Sequence, residues 1–386
     1  RGAGQHLVYC ITFEGFGVST SGLGHEHNSW VGIIHLKSVS IEAGPDHRDY
    51  LMTNTNAPRL KKICLEEHFA PAGFMTSDPT EFAAKLGLEP ETAKSILNGL
   101  DLSEKLREMN ASGVDVCVVS LQAPGIEGIS DPHEAAAKAR MVNDYLAKQC
   151  ATSNGRLEGF ASVPLQDPVR AVEELEYCVN ALGFRAVMVN GYSTSPDGSP
   201  IYLDDRRFDA LWTRCEELGT PVYLHPRVSV KGVLEGIYAG HPEMHGANFG
   251  FAVETSAHAM RLIWSGLFDR HPRATVILGH LGEGLPFLSW RLEHTHNDNP
   301  LGTRTKKTVQ AYLSENFFFT TSGFFSDHAL QCTLATVGAD RVLGSVDSPY
   351  EKMAEYSAWI ERTPVSESDR RKIAHENAAK LFGLKV

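Results

Sequence analysis

The chain has 386 residues, 42% of them apolar and 22% charged, with a formal net charge of −11. That is ordinary globular composition, long enough for one large α/β domain or two smaller ones. An acidic balance without any Lys/Arg run longer than a pair or two argues against nucleic acid or an anionic membrane as main partner, and no apolar run reaches transmembrane length.

The seven cysteines are widely spread and form no C-x-x-C pair, which reads as core thiols in a reducing compartment. No basic segment followed by a long apolar one marks a secretory signal, so a cytoplasmic location is expected. Residues 1–57 are rich in Gly, Ser, His and Asn and begin with Arg1. Within them Val31–Leu36 has strand character but no helix follows, and His25-Glu26-His27 imitates a metal motif without a preceding strand. The compact domain is expected to begin near Met52, with residues 1–57 an extension or a translation artefact and 58–386 a single catalytic domain.

From Lys61 the pattern becomes regular. Ile63-Cys64-Leu65 is a short buried strand ending abruptly in Glu66-Glu67-His68-Phe69. A helical region from Asp78 to about Asn110 carries starts at Asp78-Pro79 and Pro90-Glu91, and the β-branched run Val114–Ser120 is the second strand. Asp131-Pro132 opens the next helix with an Asp cap and Pro at the first helical position. Strand three spans Leu157–Val163, a helix starts at Asp167-Pro168, and strand four spans Phe184–Val189. A helix from Asp205 to Leu218 leads to strand five, Thr220–His225, and then to a Gly- and His-rich excursion over 226–248. A long helix over 252–268 precedes strand six, Ala274–His280, and a helix around 286–294 follows it. Phe317–Thr321 is strand seven, His328–Val337 a helix, and Arg341–Asp347 strand eight; a helix started by Ser366 and Asp369 closes the chain. Eight strand–helix units with continuously apolar strands imply strands buried on both faces. With no G-x-G-x-x-G after the first strand, a closed (β/α)8 TIM barrel fits better than an open doubly wound sheet.

In such a barrel the strand ends carry function. Glu66 and His68 share one side of the first strand tip, strand eight with Asp347 is its neighbour, and His225 reaches the same axis from strand five. Two carboxylates and two imidazoles suit Zn²⁺, Mn²⁺ or Fe²⁺. Each residue taken alone has a plainer reading, Asp347 as a turn initiator and His225 and His280 as packed rim histidines. Glu283, three residues past His280, is placed to fix that ring's tautomer from within one turn of a helix start, or is simply an acid favoured by the helix dipole.

Four motifs, Leu-Glu-Glu-His-Phe at 65–69, Tyr-Leu-His-Pro-Arg at 223–227, Leu-Gly-His-Leu-Gly-Glu at 278–283 and Ser-Val-Asp-Ser-Pro-Tyr-Glu at 345–351, together resemble the decarboxylase branch of the amidohydrolase superfamily. The similarity is to γ-resorcylate and 2,3-dihydroxybenzoate decarboxylases and covers residues from about 60 to 386. The resemblance implies a metal-dependent (β/α)8 barrel with one divalent ion, Mn²⁺ or Zn²⁺ with Mg²⁺ an alternative, on Glu66, His68, His225 and Asp347. It implies an acid/base dyad of His280 and Glu283, no organic cofactor, and a homotetramer or homodimer. The implied reaction is reversible, non-oxidative decarboxylation of an ortho-hydroxybenzoate of the 2,6- or 2,3-dihydroxybenzoate type, with Asp347 or His280 as proton donor. Glu66-x-His68 departs from the His-x-His of hydrolytic members, and Ser348 stands where the branch often has an aromatic. A metal-dependent lactone or amide hydrolase is the competing reading. For the substrate ring the candidates are Phe69, Phe251, Phe324, Trp264 and Trp290, the two Trp reading more as core residues, while Arg227 is placed to pair with a substrate carboxylate or with a neighbouring subunit.

Overall fold

The computed structural model describes residues 59–75, 78–86, 88–298, 301–302 and 305–385; the expectations for residues 1–57 lie outside them. Among the described residues there are ten strands: β1 Ile63–Phe69, β2 Val116–Leu121, β3 Leu157–Ala161, β4 Ala186–Asn190, β5 Ser193–Thr194, β6 Pro200–Ile201, β7 Val222–His225, β8 Val276–Leu278, β9 Phe317–Thr320 and β10 Val342–Leu343. β5 and β6 form a small antiparallel pair. The other eight make one parallel sheet in the order β1-β2-β3-β4-β7-β8-β9-β10, which is the (β/α)8 barrel expected from the strand count.

Helix starts follow the local chemistry. Asp101, Asp131 and Asp167 each accept backbone N–H groups in the first turn of Leu102–Ser112, Pro132–Thr152 and Pro168–Asn180, the last two with Pro at the start. The helical region after β1 is three helices rather than two, because the Asp101 cap starts its own. The long helix expected over 252–268 is broken at Gly266 (φ +69°) into Gly250–Trp264 and Leu267–Arg270. The helix Met353–Arg362 and the β5–β6 pair were not anticipated. Among the described residues no helix is long and apolar enough to cross a membrane.

The apolar residues divide into an inner and an outer layer. Ile63, Leu65, Val116, Val118, Phe160, Met188, Tyr223, Ile277 and Leu343 cluster together, joined by Ala378 and Phe382 of the C-terminal helix Asn377–Phe382. The larger cluster, including Cys64, Cys117, Val119, Leu175, Trp212 and Trp359, fills the space between sheet and helices. Alternation along β1 and β2 explains the division.

Two irregularities at β1 set up the site. Cys64 pairs with Cys117 but Glu67 pairs with Val119, so β1 holds one residue more than β2 over this interval. That bulge reverses the inside–outside parity. Leu65 still packs inward, and Glu66 and His68 face inward after it, leaving Glu67 and Phe69 outside. The second irregularity is the seam between β10 and β1, the two ends of the sheet order. Side chains close it: Glu66 N donates to Ser345 Oγ at 2.8 Å, and Val346 N and Ser348 N each donate to the Glu67 carboxylate at 3.0 Å. His68 N also donates to Ser348 O at 2.8 Å. Strand eight, expected to run to Asp347, ladders only over Val342–Leu343; beyond that point side chains hold it at Ser345, Val346 and Ser348, and backbone bonds reach it from Gly323 N to Val346 O and from His68 N to Ser348 O.

Candidate metal and proton-transfer site

Glu66 sits fully buried at the end of β1. Its Oε2 accepts hydrogen bonds from the Tyr223 and Ser322 hydroxyls, and Thr320 Oγ1 lies 2.8 Å from both hydroxyl oxygens. Gly279 makes this packing possible, since a Cβ there would lie 2.7 Å from Glu66 Oε2. With Oε2 held by two donors, Oε1 is turned to the centre of the barrel. It is buried and makes no hydrogen bond, with His225 Nε2 3.3 Å away and His280 Nε2 3.9 Å away.

Around this orphaned oxygen the other groups converge. One ligand atom from each of Glu66, His68, His225 and Asp347 lies within 4.8 Å of the others. His68 Nε2 is 3.2 Å from Asp347 Oδ1, its Nδ1 is 3.5 Å from Ser120 Oγ, and its ring meets that of His225 edge-on at 4.6 Å. Burial pushes the Glu66 carboxyl up to about 7 and holds the His225 imidazole well below its ordinary value, in its neutral ligand form. Burial acts on Asp347 too, but hydrogen bonds from His280 and His68 outweigh it and hold that carboxyl well below the usual range. A buried carboxylate oxygen without a donor, crowded by a second carboxylate and two imidazoles, is expensive unless a cation sits among them. Two oxygens and two nitrogens suit Mn²⁺ or Zn²⁺, and the residues present fit such an ion.

Beside the cluster stands a second pair. His280 Nδ1 is 2.7 Å from Glu283 Oε1, and His280 Nε2 is 3.5 Å from Asp347 Oδ2. The two residues do meet, though not on a helix start. From His280 to Gly284 every residue has positive φ, at 52°, 53°, 93°, 53° and 78°. Three of the five are not glycine, so the turn is backbone-strained and held by its surroundings. It folds Glu283 back onto the ring, which a right-handed first turn does not require. Desolvation disfavours the imidazolium at His280, but Glu283 and Glu66 favour it more strongly and raise the group well above its ordinary value. Gly323 (φ +61°) closes over the pair, where a Cβ would lie 3.0 Å from the His280 ring.

The ring-binding candidates separate. Phe69 is fully buried on the outer side of β1, stacked on Tyr145 at 6.1 Å, so the parity that turns His68 inward turns Phe69 away from the site. Arg227 is committed elsewhere: Nη1 donates to Glu127 O and Tyr192 O, Nη2 donates to Thr194 Oγ1, and the guanidinium lies 4.2 Å over the Tyr192 ring. Phe251 is half-buried in the first turn of Gly250–Trp264, and Phe324, 45% exposed, directly follows Gly323. Trp264 is half-buried against the outer core as expected, whereas Trp290 is 70% exposed and stacks on His294, so it is a surface residue. Sequence reasoning missed Tyr223 and Ser322, which aim Glu66, and Tyr350, whose ring centre is 6.0 Å from that of His68 and whose hydroxyl accepts from Gln122 Nε2. The hydroxyl at 223 sits inside a motif already noticed, but nothing in one chain shows that it or the Ser322 hydroxyl points at Glu66.

A parallel eight-stranded barrel with a carboxylate–imidazole cluster at its strand ends and a single His–Glu pair beside it defines a metal-dependent amidohydrolase. The chain belongs to the family described as Amidohydrolase, whose pattern matches residues 96–384. Within it the chain falls in the γ-resorcylate/dihydroxybenzoate decarboxylase branch. It is 42% identical over 333 residues to γ-resorcylate decarboxylase of Rhizobium sp. (strain MTP-10005), covering 84% of this chain and 98% of that protein. A crystal structure of 2,6-dihydroxybenzoate decarboxylase with bound 2,6-dihydroxybenzoate is 40% identical with a TM-score of 0.79, over 84% of this chain and all of that one. Dihydroxybenzoic acid decarboxylase of Polaromonas sp. JS666, with manganese and 2-nitroresorcinol bound, is 38% identical with a TM-score of 0.78, over 84% of this chain and 98% of that one.

Proposed function

We propose that this chain removes carbon dioxide from 2,6-dihydroxybenzoate or a closely similar ortho-hydroxybenzoate. It is a metal-dependent carboxy-lyase acting non-oxidatively on a small aromatic carboxylic acid. The observation that carries this reading is the convergence of four ligand atoms within 4.8 Å around an unpartnered Glu66 oxygen, with Asp347 of that set also facing His280. Glu66, His68, His225 and Asp347 hold one divalent ion per chain, Mn²⁺ or Zn²⁺. When bound, that ion supplies a Lewis acid for the substrate carboxylate and its neighbouring phenolic oxygen.

Direct cleavage of the aryl–carboxylate bond leaves an electron pair in the ring plane, without resonance help. Protonation of the carbon that carries the carboxylate avoids this: the C–C electrons then return to the ring as CO₂ leaves and aromaticity is restored. Asp347 rests ionised, so a proton must reach it before it acts as donor. His280, kept protonated by Glu283 and 3.5 Å from Asp347 Oδ2, is the nearby source. His280 also handles the phenolic proton, and Glu283 holds its ring in one orientation. Phe324 and Phe251 are the remaining candidates for walls of the ring pocket, joined by Tyr350.

The test pairs metal analysis of the purified protein with CO₂ release from 2,6-dihydroxybenzoate, 2,3-dihydroxybenzoate, salicylate and orsellinate. About one Mn or Zn per chain with turnover of one member is the expected outcome. Bound metal without CO₂ from any of them overturns the reading in favour of a hydrolase, to be tried on lactones.

We further infer a homotetramer or homodimer in the cytoplasm, with residues 58–386 as the catalytic unit. Exposed Phe287 and Trp290 on the helix Leu285–Asp298, with Leu301 beyond it, support association. Among the described residues six cysteines are free, four of them buried, which supports a reducing compartment. Light scattering reads the assembly, and activity after removal of residues 1–51 tests the boundary.

A further inference from the structure

We infer that Glu67 is the positioning residue of this site, clamping the backbone on both sides of Asp347 so that its carboxylate is presented to the ion and to His280. This rests on the metal-site reading above.

Glu67 is the neighbour of a ligand yet faces the other way, outside the barrel, and is fully buried. Its Oε1 accepts from Val346 N and its Oε2 from Ser348 N, both at 3.0 Å. These are the two amides that bracket Asp347. Asp347 itself has φ +81°, a conformation a residue with a Cβ holds only when its surroundings impose it. A single carboxylate bridging residues 346 and 348 imposes it directly.

The clamp is itself anchored. Lys105, fully buried on the helix Leu102–Ser112, donates to Ser348 O at 3.1 Å and Ser348 Oγ at 2.9 Å, and its charge offsets that of Glu67. Ser348 Oγ donates to Glu108 Oε2 at 3.2 Å, and Met353 N donates to Glu108 Oε1 at 3.1 Å. His68 N donates to Ser348 O at 2.8 Å, so Ser348 is held at its nitrogen, its carbonyl and its hydroxyl. Ser348 thus carries a hydroxyl that ties the Asp347 loop to the buried Lys105 and the half-buried Glu108. The same Glu67 stitches the seam where β10 and β1 share no ladder, which makes closure of the barrel and placement of Asp347 one event.

The test is the Mn²⁺ dissociation constant of Glu67→Gln, read from the free-ion paramagnetic resonance signal, alongside the melting temperature of the metal-free protein. The carboxamide keeps the size of the side chain but turns one acceptor into a donor facing a backbone N–H. Loss of an outer partner of a ligand is expected to weaken Mn²⁺ about 10–100-fold and to alter the signal of the bound ion. A dissociation constant within about threefold of the wild type, with only the melting temperature lowered, overturns the proposal and leaves Glu67 a seam residue. If Glu67→Gln does not fold, Glu67→Asp decides, because it keeps the negative charge beside Lys105 but is one methylene too short to hold both Val346 N and Ser348 N. A several-fold weaker Mn²⁺ constant there supports the clamp, and an unchanged one overturns it. Wild-type protein that binds no Mn²⁺ or releases no CO₂ refutes the metal-site reading instead, a separate outcome.

Discussion

The inner and outer faces of the β1 tip hold adjacent carboxylates with opposite fates. Glu66, inside, has one oxygen saturated by hydroxyls and the other left bare among groups that are themselves ligands. Glu67, outside, has both oxygens on backbone amides and a buried lysine for a counter-charge. Both are fully buried, so burial alone does not mark a site. What separates them is whether the protein satisfies the lone pairs. Where it does, the carboxylate is a strut; where it leaves one bare beside other acceptors, it is a seat for a cation.

The comparison breaks most visibly on the inner face. His280→Asn and Asp347→Asn should each lower kcat by roughly 10²–10⁴-fold, measured as CO₂ release at saturating metal. Near wild-type turnover in both sinks the proton-transfer scheme. Next in size is the ion itself. Saturating the inner cluster with Mn²⁺ at about 100 times its dissociation constant should stabilise the fold by about 2.7 kcal/mol, seen in denaturant titrations with and without chelator. No difference would mean that the bare Glu66 oxygen needs no cation.

Glu127 sharpens the rule, because it is buried with one oxygen bare but lies in no ligand cluster. Burial raises its carboxyl from 4.5 to about 7. Between those values the native state keeps a proton that the unfolded chain gives up. Its favourable contribution is therefore full below about 4.5 and is lost as pH climbs through 7. Glu127→Gln should abolish that loss, gaining about 2 kcal/mol on the wild type between pH 5 and pH 8 in urea titrations. Equal pH dependence of the two proteins would show that Glu127 is compensated in a way the geometry does not reveal. The smallest effect belongs to the outer face: Phe69→Leu should cost about 1 kcal/mol of stability and leave kcat per folded molecule unchanged. A large fall in kcat would put Phe69 back in the ring pocket.

The alternation of apolar strands with Asp-capped helices was legible from residue types, because strand burial, Asp caps and first-turn prolines act over a few neighbouring residues. So were the polar residues at strand ends, since a charged group ending a fully apolar run is conspicuous in one dimension. His68, His225 and His280 were found that way, and Glu66 and Asp347 with them. What escaped depends on counting against another strand. The bulge that turns Glu66 and His68 inward and Phe69 outward exists only relative to β2, so one chain read alone offered Phe69 for the ring pocket without showing that it stacks on Tyr145 instead. Arg227 looked free beside His225 until Glu127, Tyr192 and Thr194, distant in the chain, were seen to take its donors. The left-handed turn at 280–284 and the Glu67 clamp on Asp347 are likewise decided by neighbours that pack against them. By itself the sequence determined which chemical groups stand at the strand ends; tertiary structure decided which way they face, because that direction is set by partners up to 281 residues away.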